Sequence, residues 1–322
     1  MRVVVIGATG HIGGYLVPRL VDAGHEVVAL SRHGRRYYGE GSNWPDVSTV
    51  IVDRDAEDAR GVFGRRVADL EADVVIDLIC FETDSARQLV EALRPRGTYL
   101  LHCGTIWVHG PSTVVPTTED RPRHPFGDYG ITKAAIEAFL LEETRSGGLR
   151  ATVLHPGHIV GPGWVPVNPA GNLELWVFER LASGEELALP NLGMETLHHV
   201  HADDVAQAFA LAVERPELAA GEAFHVTSER AITLRGYAEA IAELAGQPSR
   251  LAFLSWKEWR ETVSASASEE TWDHIAHSPS VSIDKAKRLL GYSPTYTSIE
   301  AIRQSLAWLV ANNDLNAAGL RD

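Results

Sequence analysis

The sequence predicts an α/β protein, a doubly wound parallel sheet joined to a smaller α+β C-terminal domain. Three observations predict it: short β-branched runs alternate with amphipathic stretches through the first half, a glycine-rich turn follows the first run at once, and beyond Gly161 the composition changes to GPGWVPVNPAGNLELW. Continuous apolar runs of this kind read as strands buried on both faces, which requires helices on both sides of the sheet.

The runs are RVVVIG, EVVAL, VSTVIVD, DVVIDLIC, GTYLLHCG and RATVLHPG. Between the first two, a helix from His11 to Ala23 carries Ile12, Leu16 and Leu20 on one side. Pro18 falls inside it and predicts a kink or an irregular turn, because proline removes a backbone hydrogen bond and crowds the preceding turn. HHVHADDVAQAFALAVERP reads as a strand entering a helix whose apolar face is Val205, Phe209, Ala212 and Val213. From Glu222 onward the pattern is α+β, ending in two helical stretches around a Gly-Tyr-Ser-Pro turn. Trp256, Trp259, Trp272 and Trp308 are expected in the core of this part.

With 322 residues and 45% hydrophobic content the chain can bury a substantial core. A net charge of −14 argues against nucleic acid or an anionic membrane as partner. No apolar run approaches the roughly 18 residues of a membrane span, and glycine interrupts the start too early for a secretory signal, so a cytoplasmic protein is expected. Cys80 and Cys103 read as reduced thiols in buried strands.

VVVIGATGHIGG sets Gly7, Gly10 and Gly13, with His11 and Ile12 between them, at the turn from first strand to first helix. Glycines there permit a tight bend and a close approach of backbone to a pyrophosphate, whose charge rests on the helix N-terminus. The second strand ends in Ser31 and Arg32, with Arg35 and Arg36 close behind. A carboxylate at that point would bind the ribose 2′-hydroxyl of NAD, whereas arginine accepts a 2′-phosphate, so NADP is favoured over NAD. Asp53, at the end of the third run, is expected at the adenine edge. The expected division is a cofactor domain over 1–160, to which 195–221 returns, and a substrate domain over 161–322, mainly 161–194 and 222–322.

In FGDYGITKAAIE, Tyr129 and Lys133 stand four apart and share one helix face. A free phenol has a pKa of about 10. Bringing it near neutrality takes roughly 4 kcal/mol, which Lys133 and a positively charged nicotinamide are expected to supply together.

With these motifs in view, the chain resembles the extended branch of the short-chain dehydrogenase/reductase superfamily, the epimerase/dehydratase-like group. TTEDRPRHPFGDYGITK at 117–133, HPGHIVGPG at 155–163, VHADDVA at 200–206 and DKAKRLLGYSP at 284–294 carry the likeness over nearly the whole length. The resemblance implies a Rossmann-type fold, with Tyr129 as acid/base, Lys133 as its partner and ribose ligand, and Thr105 as the hydroxyl that positions the substrate oxygen. It also implies Pro156 among the cofactor-binding residues and a homodimer paired through the Tyr129/Lys133 helix.

Several positions depart from the group's pattern. Ile106 and Trp107 follow Thr105 where dehydratases resembling this chain carry an acidic pair, so elimination of water is not expected. Leu197 stands where nucleotide-sugar members have an arginine for the diphosphate; Arg180 is the remaining candidate for that contact. His158 occupies a position often held by a substrate-contacting Asn, and with Trp164 it is expected to line the substrate pocket, which suits an uncharged sugar, polyol or other small carbonyl compound. The HHVH cluster at 198–201 reads as hydrogen-bonded histidines rather than a metal site. Three functions compete: a reductase or dehydrogenase that releases its cofactor, an epimerase that retains it, and a dinucleotide-sensing or RNA-associated protein without catalysis.

Overall fold

The computed structural model describes residues 1–32 and 47–320; Arg35 and Arg36 lie outside the described residues. Six strands correspond to the six apolar runs: β1 (Arg2–Ile6), β2 (Glu26–Ser31), β3 (Ser48–Ile51), β4 (Val74–Asp77), β5 (Tyr99–Cys103) and β6 (Ala151–Pro156). Beyond β6 an edge strand, Ala223–Val226, joins the same sheet, whose order is edge strand, β6, β5, β4, β1, β2, β3. All of its pairings are parallel. The chain leaves β1 toward β2 and β3, then crosses back to β4 on the other side. That reversal opens a crevice at the C-terminal ends of β1 and β4, where ligands of doubly wound sheets bind.

Burial on both faces is visible residue by residue in β1. Val3 and Val5 enter one core with the helices on that side, while Val4 and Ile6 enter the opposite core. Successive side chains of a strand point to opposite faces, so an unbroken Val-Val-Val-Ile run fits only a strand covered twice. A third core gathers Leu187, Leu197, Tyr237, Trp259, Ile302 and Leu306 from the C-terminal part and the segment after β6. The short strands His158–Val160 and His199–His201 pair in parallel between these regions.

The first helix, α1 (His11–Asp22), runs as one unbroken α-helix through Pro18, without the irregular turn that is one of the two expectations there. Leu16, Val17 and Leu20 are buried in the same core as Val205, Phe209, Ala212 and Val213 of the helix Ala202–Glu214. Burial of each such side chain is worth about 1.5–3 kcal/mol. Three of them outweigh the roughly 3 kcal/mol that an interior proline costs.

The four C-terminal tryptophans divide. Trp259 is 1% exposed, and its indole donates to Ala188 O at 3.0 Å. Trp256 and Trp308 pack partly buried against the third core. Trp272 departs from the expected burial at 50% exposure. The helix Ala265–His277 buries Ala267, Thr271 and Ile275, a four-residue period that leaves position 272 on the solvent side. Among the described residues no helix is long and apolar enough to cross a membrane.

Phe209 is fully buried where α1 meets the 202–214 helix. Phe209→Ala is expected to lower the unfolding free energy by about 3–5 kcal/mol in urea titrations, whereas Val115→Ala, at a 61% exposed position, should leave the midpoint near that of the parent.

Candidate active site

The glycine turn is built by close packing. Gly7 sits at φ +85°, and a Cβ there would lie 2.8 Å from the Ile79 side chain; a Cβ on Gly13 would lie 2.2 Å from Ala8 O. The amides of Gly7 and Ala8 both donate to Leu30 O, at 2.9 and 3.2 Å, tying the turn to β2. Gly10 is the N-cap of α1 and offers no capping side chain, and the first helical turn holds no acidic residue. The positive end of α1 therefore faces the crevice with its first amides available to an anion. A cleft of about 550 Å³ opens there, lined by Gly7, Gly10, His11, Ser31, Arg32 and Phe81 among others. Ile12 is buried beneath the turn, and Pro156 is buried at the end of β6.

Asp53 is exposed, and its carboxylate accepts from Ala56 N at 3.1 Å, capping the helix Arg54–Asp58. The cleft wall beside it is formed by Val52, Arg54 and Asp55. Arg54 is buried, with a bidentate pair to Asp77 at 2.6 and 2.9 Å and a third bond to Ser85. Its guanidinium also lies 5.0 Å from the Phe63 ring centroid, so it acts as a brace between the helix Arg54–Asp58 and the end of β4.

The helix Gly127–Arg145 carries Tyr129, Lys133 and Glu137 on one face. Lys133 is 2% exposed, and its ammonium donates to Cys80 O and Cys103 O, both at 2.8 Å. It lies 4.7 Å from the Phe81 ring centroid and 5.9 Å from that of Tyr129. Burial pulls the Lys133 ammonium below the usual lysine value, against the opposing pull of the neighbouring thiols and Asp77. The Tyr129 side chain is 44% exposed, yet its phenol is pushed up to about 12 by burial and by Cys103, with a hydrogen bond to the Thr105 side chain acting in the opposite direction. The lowering expected of Lys133 and a nicotinamide together is not produced by Lys133 alone. The ammonium is committed to two strand-end carbonyls, and its contact with Tyr129 is to the ring.

Thr105 lies two residues past the end of β5. Its amide donates to His155 Nδ1 at 2.9 Å, and its hydroxyl accepts from Trp107 N at 3.3 Å. His155 Nε2 lies 3.2 Å from Glu137 Oε1, and Glu137 is gripped by Arg123 through two bonds of 2.6 and 3.0 Å. Burial alone would raise the Glu137 carboxyl, but His155 and Arg123 hold it well below the usual carboxylate range. Glu137 escaped the sequence reading although it stands one further turn along the Tyr129/Lys133 face, the signal that would have found it.

Beyond Tyr129 the wall is aromatic. Trp107 meets the Tyr129 ring edge-to-face at 6.0 Å, and His277 is stacked between Trp107 at 4.1 Å and Phe126 at 3.9 Å. His158 sits on this wall, 6.4 Å from Trp107 and 5.1 Å from His274 between ring centroids. Burial lowers the imidazoles of His158, His199, His274 and His277, that of His199 to about 3, and so disfavours positive charge on this wall. Trp164 does not join His158: it stacks on His11 at 5.1 Å and lines the cleft of the glycine turn. Trp107, Phe126, His274 and His277 were not legible as a group, because three segments distant in sequence bring them together.

Leu197 is fully buried in the third core. Arg180 pairs with Glu185 at 3.6 Å and lies over Trp176. In the HHVH cluster His198 bonds Ser228 O, His199 bonds Val167 O and His201 accepts from Asp203 N, so each imidazole meets backbone. Among the described residues one trio, Asp77, Cys80 and His102, brings potential ligand atoms within 4.8 Å of one another. Both carboxylate oxygens of Asp77 are already taken by Arg54. A second cavity of about 580 Å³, beneath Glu119, Arg123 and Lys285, touches neither the glycine turn nor Tyr129.

A parallel sheet with a glycine cradle at its switch point and a brace of side chains at the strand ends defines a dinucleotide-binding α/β enzyme. The chain belongs to the NAD dependent epimerase/dehydratase family, whose model matches residues 3–227. It is 27% identical over 311 residues to the chloroplast stem-loop binding protein of 41 kDa b of Arabidopsis thaliana, covering 94% of this chain and 78% of that one. It is 28% identical over 251 residues to 2'-dehydrokanamycin reductase of Streptomyces kanamyceticus, covering 77% and 68%. Its fold matches a UDP-glucose 4-epimerase of Thermotoga maritima solved with UDP-glucose, at a TM-score of 0.72 and 22% identity over 97% of this chain and 100% of that one. With relatives named as epimerases, dehydrogenases and reductases, the protein is an NAD(P)-dependent enzyme of oxidoreductase type.

Glu137 contributes stability with a definite sign. Its folded-state carboxyl lies below the ordinary value of 4.5, so the contribution is fully present above that value and is lost as pH falls through the folded one. Glu137→Gln is expected to lower stability at pH 7 by about 3 kcal/mol, by leaving Arg123 and His155 without their anion. In urea titrations the gap between the parent and this variant should narrow steadily as the pH is taken from 5 toward 3.

Proposed function

We propose that this protein is a reductase or dehydrogenase that binds and releases NADP(H) at each turnover, interconverting a secondary alcohol and its carbonyl in an uncharged sugar-like or small carbonyl substrate. The observation that carries this reading is the convergence of Thr105, Tyr129 and Lys133 beside the glycine-turn cleft, with Phe81 lining that cleft and touching both Lys133 and Tyr129. When bound, the nicotinamide supplies or accepts the hydride. Tyr129 exchanges the proton of the substrate oxygen, Thr105 hydrogen-bonds that oxygen, and Lys133 supplies positive charge and a ribose contact. A phenol pushed up to about 12 is fully protonated at neutral pH, the form that gives a proton during carbonyl reduction.

The substrate class is supported by the neutral aromatic and imidazole wall, by Leu197 in the core where a cation for a diphosphate would stand, and by Arg180 paired with Glu185. Ser31 and Arg32 on the cleft wall, at the end of β2 where a carboxylate would serve NAD, support NADP over NAD. The remaining expectations are a homodimer through the 127–145 helix, supported by exposed Ile131, Ala135 and Ala138 along it, and a cytoplasmic location.

The test is to denature purified protein, identify any dinucleotide released, and follow NADPH and NADH oxidation against free sugars, small ketones, aldehydes and nucleotide-sugar controls. Steady NADPH consumption with an uncharged carbonyl compound is expected. Stoichiometric retained dinucleotide with interconversion of sugar epimers would instead favour an epimerase, the activity named for several relatives.

Tyr129→Phe is expected to reduce kcat by about 10²–10⁴-fold with little change in dinucleotide affinity. Undiminished cellular function in that variant would revive a non-catalytic role of the kind the stem-loop binding relative's name describes.

A further inference from the structure

The loop that presents Thr105 is pinned at three consecutive residues. Cys103 O accepts from Lys133 Nζ at 2.8 Å, Gly104 N donates to Leu154 O at 2.7 Å, and Thr105 N donates to His155 Nδ1 at 2.9 Å. The first two partners are a side chain of the 127–145 helix and a backbone carbonyl of β6. The third is an imidazole, 0% exposed, that reaches Thr105 from the neighbouring strand β6. A Cβ on residue 104 would lie 2.4 Å from His155 Nδ1, so the loop rests directly on the ring.

Because a backbone N–H can only donate, His155 Nδ1 must be the acceptor, and its ring proton sits on Nε2. Nε2 faces Glu137 Oε1 at 3.2 Å, and Arg123 holds that carboxylate in turn. The contact lies outside hydrogen-bond geometry, but a negative charge this close favours the proton on Nε2, and that tautomer keeps the lone pair aimed at Thr105 N. Tyr129, Lys133 and Glu137, at successive turns of one helix, thus all bear on the same loop: Tyr129 meets the Thr105 hydroxyl, Lys133 holds Cys103, and Glu137 sets His155.

We propose that His155, oriented by Glu137 and Arg123, is a positioning residue that holds the Thr105 backbone so that its hydroxyl reaches the substrate oxygen beside Tyr129. This rests on the catalytic part assigned to Thr105 above.

Substitutions separate the two nitrogens. His155→Asn keeps an acceptor near Nδ1, His155→Gln moves the amide out toward Nε2, and His155→Leu removes both. In protein labelled with ¹⁵N-threonine, the Thr105 amide should exchange with solvent at least about tenfold faster in His155→Leu and His155→Gln than in the parent. In the same two variants kcat should fall about 10- to 100-fold while KM for the dinucleotide stays within about twofold. His155→Asn should recover both properties.

Unchanged Thr105 exchange in His155→Leu, or His155→Asn performing no better than His155→Gln, would overturn the proposal, as would rapid exchange with full kcat. If His155→Leu does not fold, the Asn and Gln variants carry the comparison. Thr105→Ala separates this inference from the reading it rests on. Full kcat in that variant removes Thr105 from catalysis, while the exchange measurement still decides whether His155 holds the loop.

Discussion

A single buried ammonium sets the geometry of this site. Lys133 has almost no solvent, and it satisfies its charge on Cys80 O and Cys103 O, carbonyls just past β4 and at the end of β5. Desolvating an ammonium is costly unless each donor finds an acceptor. The helix that carries Lys133 therefore cannot shift relative to the strand ends without stranding a charge. Tyr129, one turn earlier, and Glu137, one turn later, inherit that fixed position. The rings beyond Tyr129 then assemble on a frame that is already rigid.

The same constraint explains the chemistry of the phenol. Lys133 gives two of its three donors to backbone and approaches Tyr129 at the ring, 5.9 Å from its centroid, and burial dominates the tyrosine. A helix face can be read from spacing of four, but the direction in which an ammonium points depends on which carbonyls lie within reach. The first was legible in YGITK. The second required the ends of β4 and β5 to be brought together in space.

Local patterns carried most of the fold into view. The β-branched runs correspond to β1 through β6, and the glycine spacing marked the turn where Gly7 needs a positive φ and Gly13 has no room for a Cβ. Errors arose where a local rule met a tertiary one. Pro18 is carried by burial of Leu16, Val17 and Leu20, and Trp272 falls between the buried positions of its helix. Trp164 opens the loop after His158, but the chain turns between them and delivers the indole to His11. Long-range partners of this type, like His155 with Thr105, leave no periodic trace in the sequence.

The stacked pair of His11 and Trp164 ties two distant segments together at the cleft. One ring belongs to the first turn of α1, the other to the segment that follows the strand His158–Val160, and their planes are nearly parallel, at an angle of 10°. Both rings also line the cleft of the glycine turn, so a dinucleotide seated there rests against a wall built from two segments that the sequence holds far apart.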